Sequence, residues 1–232
     1  ALFGEHCAAC HGADRLGGSG PALIPEALVC IRNTVAHETI VKGRTATQMP
    51  AFADKLAPEA VASLVKYIYT PLATAPEWGA VQIDSSRELH RAPPKADKPV
   101  FTADPLNLFV VVETGDHSVT ILDGDKFEPI HRFKSRFALH GGPKFTPDGR
   151  YVFFASRDGW VTKFDLWTLT VTAEVRAGLN TRNIAISKDG KHIAVANYLP
   201  HSLVMLSSDN LAIERMFDAK DRAGESSRVS AV

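Results

Sequence analysis

The sequence has no surplus of either charge: 26 lysines and arginines stand against 26 aspartates and glutamates in 232 residues. Attachment to a phosphate backbone is driven by a basic excess, so nucleic acid is a poor partner. Cysteine is scarce too. Three residues cannot staple a small fold by a disulfide framework, so the core must come from the apolar side chains, 45% of the chain. No apolar run approaches the about 18–20 residues that cross a bilayer as a helix, which predicts no membrane span. The sequence opens on Ala1 without an initiator methionine or signal peptide, and it closes inside a repeat. It is therefore read as a truncated segment of a longer protein.

Texture divides what is there. Residues 1–70 are rich in alanine and poor in strand patterning. A short amphipathic stretch, Thr34 to Val41, is closed by Gly43. Between Ala57 and Thr70, Pro58 suits a first helical turn, and Val61, Leu64, Val65 and Ile68 recur at i, i+3, i+4 and i+7. Residues 71–99 hold five of the fourteen prolines and no period, which predicts an extended linker tacked onto a domain by Trp78, Val81 and Ile83. From 100 onward, short β-rich runs follow turns. Asn107–Val112, Tyr151–Ala155 and His192–Ala196 each come after an Asp-containing turn, and each precedes a second strand (Ser118–Leu122, Trp160–Phe164, Ser202–Leu206). Third strands run over Thr172–Arg176 and Ile213–Phe217. Asp104, Asp148 and Asp189 recur at spacings of 44 and 41 residues, the period of a four-stranded propeller blade. About three blades are visible, and Ser227–Val232 reads as the opening of another.

The strongest chemical pattern is Cys7-Ala8-Ala9-Cys10-His11. Covalent haem c attachment needs two thiols for the two vinyl groups and a histidine that binds the iron from one face, and this motif supplies all three. A redox dithiol or half a zinc site fits less well, because no second Cys-x-x-Cys follows and no βαβ unit surrounds it. Met49, in Gln48-Met49-Pro50, is the candidate sixth ligand; Pro50 forces an extended loop that can present the sulfur. The alternatives are a gap-filling core methionine and, as ligand, His37. Cys30 is read as a small buried apolar side chain, and His6 has no assigned role. Haem c matures outside the cytoplasm, which places the protein in the periplasm.

In the β-rich half, Leu139-His140-Gly141-Gly142 presents a histidine beside permissive glycine backbone, suited to holding a haem iron from one face, or else an ordinary turn histidine. Arg157, Arg182 and Tyr198 stand where strands end at the channel side. Together they suit a cofactor bearing carboxylates; singly each reads as a surface residue.

The order of haem c motif, Gln48-Met49-Pro50, proline-rich stretch and a repeat region containing Phe137-Ala138-Leu139-His140, Gly149-Arg150-Tyr151, Arg157-Asp158-Gly159 and Asp165-Leu166-Trp167 resembles the haem c/haem d1 proteins of bacterial denitrification. The resemblance covers the whole chain. It implies an α plus all-β fold: a helical cytochrome c domain at 1–70, the linker at 71–99, and at 100–232 the first three or so blades of an eight-bladed β-propeller that holds haem d1. By the same resemblance, Cys7, Cys10, His11 and Met49 hold haem c, His140 is the proximal ligand of haem d1 iron, and Arg157, Arg182 and Tyr198 line that pocket. Two activities occur in the family, reduction of nitrite to nitric oxide and oxidation of dihydro-haem d1 to haem d1. The nitrite-reducing branch has an arginine three residues after the proximal histidine, where this chain has Pro143, and another near the position of Glu113-Thr114. Leu139-His140-Gly141-Gly142-Pro143-Lys144-Phe145, Asn180-Thr181-Arg182-Asn183 and Ala196-Asn197-Tyr198-Leu199-Pro200-His201 resemble the dehydrogenating branch. The tetrapyrrole is then substrate rather than resident cofactor, haem c takes up its electrons, and no residue is named as proton acceptor. A non-catalytic electron-transfer or haem d1 delivery module is the remaining reading. Implied partners are nitrite reductase or other haem d1 biosynthesis proteins and a periplasmic electron acceptor.

Overall fold

A computed structural model describes residues 1–74, 76–90 and 96–232. They form two compact units, Ala1–Glu77 with Thr114–Asp116, and Trp78–Glu113 with His117–Val232.

The first unit is helical: α1 (Leu2–His6), α2 (Ala8–His11), α3 (Pro25–Leu28), α4 (Asn33–Lys42) and α5 (Pro58–Ile68). Pro58 sits in the first turn of α5, and Val61, Leu64, Val65 and Ile68 are all buried, as their spacing requires. They pack with Phe3, Leu28, Ala36, Ile40, Phe52 and Leu56 into one core. Carbonyls at the end of α5 gain a further donor from the buried Arg15 guanidinium, which donates to Tyr67 O at 2.6 Å and Thr70 O at 3.0 Å while lying 4.6 Å from the Tyr67 ring centroid.

In the second unit, α6 (Ala80–Ser85) and β1 (Glu88–Leu89) precede eleven further strands: β2 (Leu108–Glu113), β3 (Ser118–Asp123), β4 (Pro129–Lys134), β5 (Lys144–Phe145), β6 (Tyr151–Ala155), β7 (Trp160–Asp165), β8 (Thr170–Arg176), β9 (Asn180–Ile186), β10 (His192–Leu199), β11 (Ser202–Ser207) and β12 (Ile213–Asp218). They make three antiparallel sheets with orders β2-β3-β4, β1-β8-β7-β6-β5 and β12-β11-β10-β9. Alternation along β6 shows how these blades pack. Val152 and Phe154 enter a core with Val119 and Ile121 of the first sheet, while Phe153 and Ala155 enter one with Ile184 and Val195 of the third. A strand covered on both faces is apolar at every position, which is why Val152-Phe153-Phe154-Ala155 shows no polar alternation.

Three expectations need correction. The stretch 71–99, expected as extended, carries α6 and β1; Pro93 and Pro94 of that stretch lie outside the described residues. Six residues are too few for a helical period to show in sequence, and burial decides the matter. Ile83 is 0% exposed, and the Trp78 indole donates to Arg176 O at 2.8 Å, whereas Val81 is exposed. Ser227–Val232 forms no strand; its backbone makes single contacts, such as Val229 N to Asn197 O at 3.3 Å, rather than a ladder. Cys30 is exposed rather than buried. Among the described residues no helix is long and apolar enough to cross a membrane.

Candidate functional site

The backbone breaks between α1 and α2 at Cys7, so that Cys7, Cys10 and His11 are gathered on one short turn; His11 N donates to Cys7 O at 3.0 Å. Gly12, at φ +76°, turns the chain back over α2, and Gly20 N donates to Cys10 O at 2.8 Å. A Cβ on Gly20 would come within 2.9 Å of the His11 ring, so glycine there lets the loop close on the imidazole. His11 is buried, and its Nδ1 lies 2.8 Å from the Pro21 carbonyl, to which it donates. That bond fixes the ring and leaves the Nε2 lone pair for a metal. Burial also pushes the imidazole pKa down, toward the neutral ligand form. The Cys7 thiol is half-buried and pushed up, by burial first and then by the neighbouring Cys10; Cys10 is exposed. Two thiols and an oriented imidazole fit a covalently held haem.

Met49 packs against the same core as Cys7. Its loop is fastened by Arg44 N donating to Met49 O at 3.0 Å, and it passes so close to Gly43 that a Cβ there would sit 2.7–2.8 Å from backbone atoms of residues 49–51. His37, the rival ligand, is exposed on α4. His6 stacks edge-on to Phe52, with 6.1 Å between centroids.

The second cluster forms where one end of β6 meets the starts of β5 and β9. His140 N donates to Ala155 O at 2.7 Å, Arg157 N to Ala138 O at 3.0 Å, and Thr181 N to Arg157 O at 3.0 Å. These bonds bring His140, Arg157 and Arg182 together. The half-buried His140 has Nδ1 3.2 Å from the Arg182 carbonyl and Nε2 3.0 Å from Arg182 Nη1. Since the guanidinium only donates, Nδ1 carries the proton and Nε2 is the acceptor. Burial, together with the Arg182 and Arg157 charges, holds this imidazole below its ordinary pKa against the raising effect of the carbonyl bond. Gly141, at φ +84°, allows the close approach: a Cβ there would lie 3.0 Å from Asn183 Oδ1. Tyr198 lies near the end of β10, with the Arg228 guanidinium 5.5 Å from its ring centroid. No sequence signal marked Arg228, which follows the last strand. A cavity of about 310 Å³ lined by Asp148, Lys163, Asp189 and Asp209 among others lies at the opposite strand ends and shares no residue with this cluster. Among the described residues the other gathering of potential metal ligands is Glu88, His90 and Glu174, and Arg136 already pairs with both carboxylates at 2.9 and 2.7 Å.

Residues 103–232 match the cytochrome D1 heme domain family. The chain belongs to that family. Residues 1–68 match the cytochrome C oxidase, cbb3-type, subunit III family. The expected fold, a cytochrome c domain followed by a propeller-like D1 heme domain, holds, and with it the two cofactor types, haem c and d1-type haem. This D1 chain is 57% identical to the dihydro-heme d1 dehydrogenase of Pseudomonas aeruginosa over 233 residues, covering 100% of this chain and 47% of that protein. It is 27% identical to the nitrite reductase of Stutzerimonas stutzeri over 233 residues, covering 92% and 41%. The solved structure of the dihydro-heme d1 dehydrogenase NirN in complex with DHE superimposes with a TM-score of 0.90 at 56% identity, covering 99% of this chain and 50% of that one. The chain thus spans about half the length of the relatives it matches.

Proposed function

We propose that the protein oxidises dihydro-haem d1 to haem d1 in the periplasm, the last step of making that cofactor for denitrification. The observation that carries this reading is the His140 cluster, a neutral imidazole with an accepting Nε2 beside two guanidiniums, on a chain 57% identical to a dihydro-heme d1 dehydrogenase. In this reading residues 1–70 carry haem c, and 100–232, together with α6 and β1 from the preceding stretch, contribute one wall of the tetrapyrrole site.

Each residue has a defined task. Cys7 and Cys10 tether haem c, and the Pro21 carbonyl keeps the His11 ring aimed at its iron. Met49 would supply a thioether as a further iron ligand, which would raise the potential toward one suited to accepting electrons. When bound, haem c would supply a one-electron acceptor; the substrate side chain loses two electrons and two protons, so both electrons would pass on one at a time to an outside periplasmic acceptor and the protons to solvent. His140 holds the substrate iron, while Arg157, Arg182 and Tyr198 orient its carboxylates by charge-assisted hydrogen bonds.

Nitrite reduction is the second reading, favoured by the 27% identity to a nitrite reductase. Against it, Glu113 is engaged by Arg132 at 2.8 Å, which makes that position a carboxylate held in an ion pair rather than an anion receptor. The deciding experiment incubates full-length protein anaerobically with dihydro-haem d1 and follows both the tetrapyrrole spectrum and haem c reduction. Conversion with haem c reduction is expected. Unchanged tetrapyrrole overturns the dehydrogenase reading, and nitrite turnover to nitric oxide establishes the second.

A further inference from the structure

His140 and Arg182 meet twice, and the two contacts have different consequences. The main-chain contact, Nδ1 to the Arg182 carbonyl at 3.2 Å, is compatible with iron on Nε2 and even prepares it by fixing the tautomer. The side-chain contact, Arg182 Nη1 to Nε2 at 3.0 Å, is not compatible with it. A ring nitrogen has one in-plane lone pair, and a guanidinium N–H and an electrophilic metal both require it. One must leave when the other arrives.

We propose that Arg182 is a displaceable cap on the iron-binding nitrogen of His140. Its carbonyl holds the imidazole in place throughout, and its guanidinium occupies Nε2 until a metal displaces it. This inference rests on the reading of His140 as an iron ligand and deepens it. Three features suit a cap. Arg182 is exposed, so relocating its side chain costs little packing. Thr181, the residue before it, is buried and donates its hydroxyl to Asn197 Oδ1 at 2.6 Å, so the Arg182 backbone stays anchored when the side chain moves. The departing guanidinium keeps its charge and its fork of donors, and the surface it is released toward is where a metallated tetrapyrrole would bring its carboxylates. A ligand with both an electrophilic metal and a nearby anion gains twice from the exchange. A metal-free tetrapyrrole can draw the guanidinium away only through its carboxylates and gains nothing at Nε2.

Two measurements on full-length protein with haem c attached test this. In the first, without tetrapyrrole, carbethoxylation of His140 by diethyl pyrocarbonate is followed by mass spectrometry. Freed of a competing hydrogen bond, Arg182→Leu is expected to react about two- to tenfold faster than wild type, and Arg182→Lys, which keeps a cationic donor, to return toward the wild-type rate. Equal rates in wild type and Arg182→Leu overturn the cap. In the second, ferric protoporphyrin IX and its dimethyl ester are titrated separately. The uncharged diester is expected to bind Arg182→Leu about two- to tenfold more tightly than wild type, because no cap must be displaced, whereas the diacid gains less because it loses a carboxylate partner. Unchanged or weaker diester binding in Arg182→Leu overturns the cap. His140→Ala separates the two levels of the argument: identical diester spectra in wild type and His140→Ala overturn iron ligation itself, independently of the Arg182 results.

Discussion

Asp158 is 2% exposed, and one carboxylate oxygen accepts from the Ser156 hydroxyl while Oδ2 has no hydrogen-bond partner among the described residues. Burial pushes its pKa up to about 6, against the lowering effects of Ser156 and Arg176. An acid whose folded pKa is raised binds protons more tightly folded than unfolded. Stability is therefore fullest below the unfolded value near 4 and is lost as pH rises through about 6. Unfolding by urea at pH 5 and pH 7.5 checks this. Asp158→Asn, neutral at both, is expected to look more favourable relative to wild type at pH 7.5, by on the order of 1 kcal/mol, because at pH 5 part of the linkage has already been lost. A pH-independent difference removes the assignment. At this scale the sequence was uneven. Cys7, Cys10 and His11 declare their chemistry by spacing, but the Pro21 carbonyl that aims His11 has no side-chain signature. Likewise Arg182 could be placed near a pocket, but its bond to His140 depends on two chain segments meeting.

Among the elements, the loop that follows α4 is sensitive to a single methyl group. Gly43 combines φ +69° with backbone atoms of residues 49–51 at 2.7–2.8 Å from where a Cβ would be. Gly43→Ala must therefore move the Met49 loop as well as strain the backbone, at a cost of about 1–3 kcal/mol. On the proposed ligation, the sulfur-to-iron absorption band is expected to weaken and the haem c potential to fall, while covalent haem survives. An unaltered band and potential place the sixth ligand elsewhere. Strands β6, β7, β10 and β11 were readable because apolar β-branched and aromatic runs identify buried strands. Strands β5 and β9 were not. Lys144-Phe145 is too short to show a period, and β9 opens with Asn180-Thr181-Arg182-Asn183, polar residues that Leu179 N and Thr181 N tie to their neighbours through backbone bonds no composition reveals. Helix α6 was hidden for the same reason: its identity rests on Ile83 being buried, not on a repeating pattern.

Across the whole molecule, each unit has its own apolar core, and α6 belongs to the one shared by the second and third sheets. Ile83→Ala in the full chain is expected to cost about 2–5 kcal/mol in the unfolding of that region, with the haem c spectrum unchanged over the same transition. Loss of both signals in one transition denies the separation. A different kind of consequence follows from β1. Glu88 pairs with Glu174 and Leu89 with Ala173, so the outermost strand of the second sheet is synthesised before any residue of the first. A chain emerging in order carries that strand unpaired until β8 appears, and β2, β3 and β4 are completed inside the loop that the pairing finally closes. Closing so long a loop is a late and slow event. The second blade is therefore the first to be begun and not the first to be finished.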